Sequence, residues 1–435
     1  MYATIDGGTR PVGRVRVSGA KNSATRLLAA ALLSDETVEL SNFPTKLVDV
    51  GHKITFCRKL GADIEIDHLN EALTIKASNF APKSLTREEF DVPIRTTYLL
   101  AAAQIVRDGS AKIPYPGGCP IGGGSGGGRG YDLHMMVWQS LNCEVTERED
   151  HIEIVAPTGL KGGDINFPIS TVGGTENALL CGSVASGRTQ IFNAYITPEV
   201  EDLISLLRLM GAQISVYGTS HIVIEGSSGR LSGARMPVMA DRIEALTWIV
   251  YAILAKGEVT IDRVPFDSMQ IPLIHLQQAG IDLLRNTQSI HVTPDCLVSG
   301  NVQPFELACG AHPGIISDMQ AFYVMLALAA SGTSRVFDYR YPERIAFVAE
   351  LAKLVDGHHL DAQKGRITVH GPARFIAGTA DSTDLRGSMA VVIAALCAVG
   401  SSTIKNAHMA LRGYNDLESK LSKLGARITV YDEQI

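Results

Sequence analysis

Cys119 stands in Pro116-Gly117-Gly118-Cys119-Pro120-Ile121-Gly122, a setting that places a thiol in a loop among backbone amides instead of in a core. Neighbouring N–H groups and a later arginine, Arg129, favour the thiolate, which is the reactive form. The other cysteines, Cys57, Cys143, Cys181, Cys296, Cys309 and Cys397, fall in apolar or periodic stretches such as Leu179-Leu180-Cys181, where cysteine acts as a small hydrophobe. From the loop alone, a chemical role and a structural one stay equally open.

A second pattern is cationic. Lys21-Asn22 follows Ser18-Gly19-Ala20, Arg95 precedes Thr96-Thr97, Asp318 follows Ile315-Ile316-Ser317, Arg386 follows Thr383-Asp384-Leu385, and Arg412 precedes Gly413-Tyr414. Each reads as the start of an apolar helix. Helix N-termini offer unpaired N–H groups and a partial positive charge, so lysine and arginine there make sites for phosphate or carboxylate. Any one of them also reads as a solvated cap, but recurrence at equivalent points favours a shared ligand.

The elements that must position these groups form a repeat. An apolar helix, then Leu-Gly-Ala or a variant, then an alternating strand recurs at Leu60-Gly61-Ala62, Met210-Gly211-Ala212 and Leu424-Gly425-Ala426. Weaker copies lie at Leu141-Asn142-Cys143, Gln278-Ala279-Gly280 and Val355-Asp356-Gly357. Glycine just past a helix ends it in the left-handed conformation, and the period-two stretch that follows predicts a half-buried strand. The interval of roughly 70 to 80 residues suits a small α/β subdomain rather than a solenoid repeat. Between the strands, Ala24–Leu33, Thr97–Val106, Ala178–Ala185, Ala245–Ala255, Gln320–Ala330 and Ser388–Val399 read as helices apolar on most faces, hence buried. Six units fit two domains of three.

At 435 residues the chain exceeds one core. A net charge of -6, with basic residues scattered singly, argues against a nucleic-acid surface. The longest apolar runs are too short for a bilayer crossing, and Met1-Tyr2-Ala3-Thr4 lacks a secretory pattern. Seven cysteines with no CxxC spacing read as reduced thiols of a cytoplasmic protein, and no His/Cys cluster has metal-ligand spacing.

The segment from Gly7-Gly8 to Ala20-Lys21-Asn22, the Cys119 loop running to Asp132-Leu133-His134, Ser317-Asp318-Met319-Gln320, Thr383-Asp384-Leu385-Arg386 and Arg412-Gly413-Tyr414 together resemble the UDP-N-acetylglucosamine enolpyruvyl transferase family. The resemblance spans nearly the whole chain. It implies an α/β fold, a two-domain inside-out α/β barrel of six βαβαββ-type repeats with the active site in the interdomain cleft. The first domain would be residues 21–239, carrying the Cys119 loop, and the second residues 1–20 plus 240–435. It further implies phosphoenolpyruvate and a UDP-sugar as small-molecule substrates, no metal or organic cofactor, and no nucleic-acid or membrane partner. Cys119 would be the general acid and the residue that fosfomycin alkylates in the family, and Asp318 the base. Lys21, Arg129 and Arg412 would grip the phosphate, with Arg95 and Arg386 lining the same basic pocket. Asp132, Leu133, His134 and the turn Thr171-Val172-Gly173 would hold the uridine side, with Asn22 and Asp318 on the sugar.

The chain departs from the family's pattern in several places. Gly122-Gly123-Gly124-Ser125-Gly126-Gly127-Gly128 separates Cys119 from Arg129 and reads as a flexible linker, a natural insertion or a graft. Arg129-Gly130-Tyr131-Asp132, Asp338-Tyr339-Arg340-Tyr341-Pro342-Glu343-Arg344 and Leu411 are also atypical, all toward the acceptor. Two further readings therefore stand beside the family's own: the same chemistry on another nucleotide or nucleotide sugar, and a catalytically idle binding protein. Loop closure entropy grows only logarithmically with length, whereas a slack tether weakens preorganisation. Shortening the run to a single glycine is expected to raise turnover and leave the melting temperature nearly unchanged; steady-state kinetics showing equal or lower turnover would refute this.

Overall fold

The computed structural model describes residues 1–79, 96–115 and 131–432. Contacts divide them into two units, Met1–Ser18 with residues 240–432, and the described residues from Gly19 to Met239. Each is an α/β unit, and the described residues form six sheets, three in each.

In the unit containing both chain ends, the strand Tyr2–Gly7 lies between Gly400–Lys405 and Arg427–Tyr431, antiparallel to both, with Thr4 opposite Thr403 and Thr429. Val12–Arg16 then pairs in parallel with Glu258–Asp262. Tyr2–Gly7 is therefore an interior strand, and Val12–Arg16 an edge strand, of sheets otherwise made late in the chain. The third sheet orders Glu306–Cys309, Thr333–Asp338, Arg366–His370 and Leu360–Gln363, with the first pair parallel. In the other unit, Val38–Ser41 pairs in parallel with Ala234–Pro237, and Ser186–Ala194 with Asp164–Thr171.

Alternation along the strands puts one face inward, and the helices fill the space behind. Gln320–Ala327 is buried along its whole length, and Leu385–Cys397 and Arg242–Leu254 almost so. Lys21–Ala31, Ala101–Asp108 and Val172–Val184 play the same part in the other unit. Alanine-rich faces let these helices approach closely, and each fully buried Leu or Phe contributes roughly 1.5–3 kcal/mol by leaving water. No helix among the described residues is long and apolar enough to cross a membrane.

The repeat phrase has one backbone signature in all six copies: Gly61, Asn142, Gly211, Gly280, Gly357 and Gly425 all take positive φ. Asparagine is the non-glycine residue that best tolerates this region, which explains the copy at Asn142. The strand-ending asparagines Asn42, Asn193 and Asn406 do the same, as does Arg263. Of the cysteines outside the loop, Cys57, Cys143, Cys181, Cys296 and Cys309 are buried, whereas Cys397 is only half-buried. Burial pushes the Cys57 and Cys143 thiols up to about 11, and Cys397 to about 12, which keeps them protonated.

Gly211 has φ of 101° and no atom within 4 Å of where a Cβ would stand. Gly211→Ala should therefore cost only backbone strain, about 1 kcal/mol, and lower the melting temperature by roughly 2–4 °C in calorimetry with activity unchanged.

Candidate active site

Lys21 opens the helix Lys21–Ala31, whose N-cap residue Ala20 is extended and makes no side-chain cap bond. The ammonium pairs with Asp49 Oδ2 at 2.6 Å, both side chains largely buried. Asn22 follows, half-buried. The Ser23 hydroxyl donates to Asp202, whose Oδ2 also accepts the Met239 N–H at 3.2 Å. Burial pushes the Asp202 carboxyl up to about 6 against the pull of those two hydrogen bonds.

In the same unit, two further segments meet. Asp132, exposed, begins the helix Asp132–Ser140; Leu133 packs on the core edge, and His134 is buried. Thr171 caps the helix Val172–Val184, its hydroxyl accepting the Gly174 N–H at 3.3 Å. A Cβ built on Gly173 would stand 2.9 Å from the Tyr98 hydroxyl and 3.2 Å from His134 Cε1. The rings of Tyr98 and His134 stack with centroids 3.7 Å apart. A side chain at position 173 would thus crowd Tyr98 and His134, and Asp132-Leu133-His134 and Thr171-Val172-Gly173 form one cluster.

Beneath it lies a buried ionic group. Arg26 Nε donates to Glu176 Oε1 at 2.7 Å, with the carboxylate fully buried. Lys53, also fully buried, donates to the Thr25 carbonyl and, at 3.3 Å, to the Thr96 hydroxyl. Desolvation pulls this ammonium down to about 7, helped by the Arg26 charge and opposed by Cys57 and Glu176.

In the other unit the centre is Asp318, in the 3-10 turn Ser317–Met319. Arg344 Nη1 donates to its Oδ1 at 2.7 Å, and the same guanidinium donates to Asp384 Oδ1 at 3.0 Å. Arg386 Nε lies 3.8 Å from Asp318 Oδ2, an ion pair too long for a hydrogen bond. Burial opposes the charge on Arg386, but Tyr414, Asp241 and Asp318 more than offset it and raise its pKa. Its guanidinium stands 5.4 Å from the Tyr414 ring centroid and donates to the Gly413 carbonyl at 3.4 Å. Asp384 caps the helix Leu385–Cys397 by accepting the Arg386 and Gly387 N–H groups. A carboxylate results with one oxygen held by Arg344 and the other facing a second cation, which is a geometry for accepting a substrate hydroxyl.

Of the residues expected from the sequence, Lys21, Asn22, Asp132, Leu133, His134, Thr171, Val172 and Gly173 fall in one unit, and Asp318, Arg386 and Arg412 in the other. Arg95, Cys119, Arg129 and the glycine run lie outside the described residues. One expectation needs correction: Arg412 is not at a helix start but is the C-cap of the short helix His408–Leu411, because the chain turns there before Gly413. It nonetheless adjoins Gly413, which Arg386 contacts. Sequence reasoning missed Asp49, Tyr98 and Arg344 as partners. Arg344 acts on residues 26 and 40 positions away, beyond any local pattern. Among the described residues no group of three His, Cys, Asp or Glu side chains is arranged to hold a metal ion.

The family model for EPSP synthase (3-phosphoshikimate 1-carboxyvinyltransferase) matches residues 5–421. A UDP-N-acetylglucosamine 1-carboxyvinyltransferase from Novosphingobium aromaticivorans is 35% identical over 434 residues, covering 98% of this chain and 97% of that one. Another, from Caulobacter sp. (strain K31), is 34% identical over 430 residues, 98% and 96% covered. Among solved structures, the enolpyruvyl transferase NikO from Streptomyces tendae is similar with a TM-score of 0.87 and 25% identity over 98% of each chain. EPSP synthase from Acinetobacter baumannii, at 18% identity and TM-score 0.73 over 99% of this chain and 100% of that one, shares the fold.

Lys53 carries a measurable pH signature. Its folded pKa lies below the ordinary lysine value, so between about 7 and 10.5 the unfolded chain binds the extra proton and stability rises with pH. Lys53→Met is expected to remove that slope. In thermal melts, the variant's melting temperature relative to the parent should be most favourable at pH 7 and decline toward pH 10; a constant difference would contradict the buried, partly neutral amine.

Proposed function

We propose that this chain, which belongs to the UDP-N-acetylglucosamine 1-carboxyvinyltransferase family within the EPSP synthase group and is a transferase, moves the enolpyruvyl group of phosphoenolpyruvate to the 3-hydroxyl of UDP-N-acetylglucosamine, releasing phosphate. The observation that carries this reading is end-to-end kinship with enzymes of that name, 35% identical across 98% of the chain. The pathway step would be the first committed one of peptidoglycan precursor synthesis.

The chain has candidates for the acid, the hydroxyl base, the charge-balancing cations and the acceptor site of this reaction. The sugar oxygen bonds to C2 of phosphoenolpyruvate while the methylene carbon takes a proton, giving a tetrahedral intermediate; phosphate then leaves as a methyl proton is withdrawn, restoring the double bond. Cys119 is the proposed acid, and Asp318 the base for the sugar hydroxyl. The support for Asp318 is its Oδ2, which the hydrogen bond from Arg344 to Oδ1 leaves to face Arg386. Lys21, Arg129 and Arg412, with Arg95 and Arg386, are proposed to balance the phosphate and carboxylate charges. Asn22 is assigned to the sugar, and Asp132, Leu133, His134, Thr171, Val172 and Gly173 to the uridine nucleotide. The support for the last group is the convergence of its two segments at Gly173 and His134.

A second reading keeps the chemistry and changes the acceptor to another nucleotide or UDP-sugar. It is favoured by the atypical acceptor segments and by the likeness to NikO. Phosphate release measured with phosphoenolpyruvate and a panel of UDP-sugars and free nucleotides separates the two. UDP-N-acetylglucosamine is expected to be the best acceptor, and Asp318→Asn to lower kcat by roughly 10²–10⁴ while nucleotide binding persists. Release with a different acceptor only would select the second reading, and nucleotide binding without any release would identify an idle paralogue.

A further inference from the structure

Tyr98 belongs to none of the motifs above, yet its polar end sits against the turn assigned to the acceptor. The side chain, 6% exposed, rises from the 3-10 turn Thr96–Leu100. Its hydroxyl stands 2.9 Å from where the Cβ of residue 173 would be, and its ring covers His134. A phenylalanine would fill a core equally well; a hydroxyl placed where a neighbour's side chain would go needs another reason.

The surroundings supply one. The Tyr98 hydroxyl is within electrostatic reach of the Arg26 guanidinium. Arg26 is in turn fixed by Glu176, three residues beyond Gly173 on the same helix, and donates from Nη1 to the Thr25 hydroxyl at 2.8 Å. Gly173 and Glu176 on one helix, Arg26 bound to Glu176, and Tyr98 within electrostatic reach of Arg26 and close to residue 173 therefore form a loop of neighbours, with Tyr98 and Glu176 buried and Arg26 and Gly173 half-buried. Such a loop leaves the start of the helix Val172–Val184 little freedom relative to the His134 ring. An anionic nucleotide needs that helix start at a fixed place, because the favourable field falls off within one turn.

We propose that Tyr98 is a positioning residue for the acceptor nucleotide, holding the Thr171-Val172-Gly173 turn and His134 at one spacing, an inference that rests on the transferase reading above. It touches no reacting atom, so its removal loosens acceptor binding and spares the chemistry.

Tyr98→Phe is the direct test, read by initial rates with UDP-N-acetylglucosamine and phosphoenolpyruvate and by calorimetric binding of the sugar nucleotide. The expected result is an acceptor KM and Kd raised roughly three- to tenfold, with kcat and the phosphoenolpyruvate KM within about twofold. A merely structural loss would lower all parameters or the folded fraction together. Gly173→Ala, whose methyl would meet the Tyr98 hydroxyl, provides the second variant. Its effect on acceptor binding should be smaller in the Tyr98→Phe background than alone, since the colliding oxygen is gone. Unchanged acceptor KM and Kd in Tyr98→Phe, or strictly multiplicative effects in the double variant, would overturn the proposal while the parent's turnover left the functional reading intact. A parent protein that binds no UDP-sugar and releases no phosphate would remove that reading, and this inference with it.

Discussion

One guanidinium organises the chemistry of the unit that contains both chain ends. Arg344 holds Asp318 on one side and Asp384 on the other, and its Nη1 also lies 3.3 Å from the Ser317 hydroxyl. Asp384 in turn caps the helix on which Arg386 sits, so the carboxylate, the helix start and the second cation share a single reference point. Burial disfavours the charge on Arg344, and the two aspartates more than compensate. Buried pairs of this kind are weak evidence of added stability, but losing one partner strands a charge at a cost of about 3–5 kcal/mol. Their value here is geometric: with Oδ1 held by Arg344 and Oδ2 facing Arg386, Asp318 takes one orientation.

The two units use the same architecture and differ in how they close their central helices. In the unit with Arg344, Asp241 and Asp384 accept N–H groups at the starts of Arg242–Leu254 and Leu385–Cys397, so protein carboxylates already occupy those positive ends. In the other unit, Lys21–Ala31 has no side-chain cap and Val172–Val184 is capped only by the Thr171 hydroxyl. An uncharged or absent cap leaves the helix field available to an external anion. The repeat thus supplies equivalent helix starts, of which Arg242–Leu254 and Leu385–Cys397 are closed by aspartates, Val172–Val184 by a threonine, and Lys21–Ala31 and Gln320–Ala327 by no side chain.

Much of this was legible in the chain. The repeat phrase located the turns because its signal is local: a residue past each helix must accept positive φ, and glycine or asparagine marks the place. The buried helices declared themselves by being apolar all round. Lys21, Asp318 and Arg386 were visible as polar residues interrupting apolar helix starts. Arg412 had the same appearance, yet it ends a helix of four residues, too short for periodicity to register. Asp49, Tyr98 and Arg344 left no such mark. Asp49 and Tyr98 look ordinary in their own segments, Arg344 stood out only as part of an atypical stretch, and each acquires its role from partners brought near by tertiary packing.

The strand Tyr2–Gly7, hydrogen-bonded on both sides by strands from Gly400 onward, sets an order of events during synthesis. The strands described for the unit between Gly19 and Met239 have all been made once residue 239 has left the ribosome. Tyr2–Gly7 must meanwhile wait without its strand neighbours until the residues from Gly400 onward are made, an interval of tens of seconds at typical elongation rates. Nascent chains would then carry Tyr2–Gly7 as an open edge on both sides, filled only when Gly400–Lys405 and Arg427–Tyr431 pair with it.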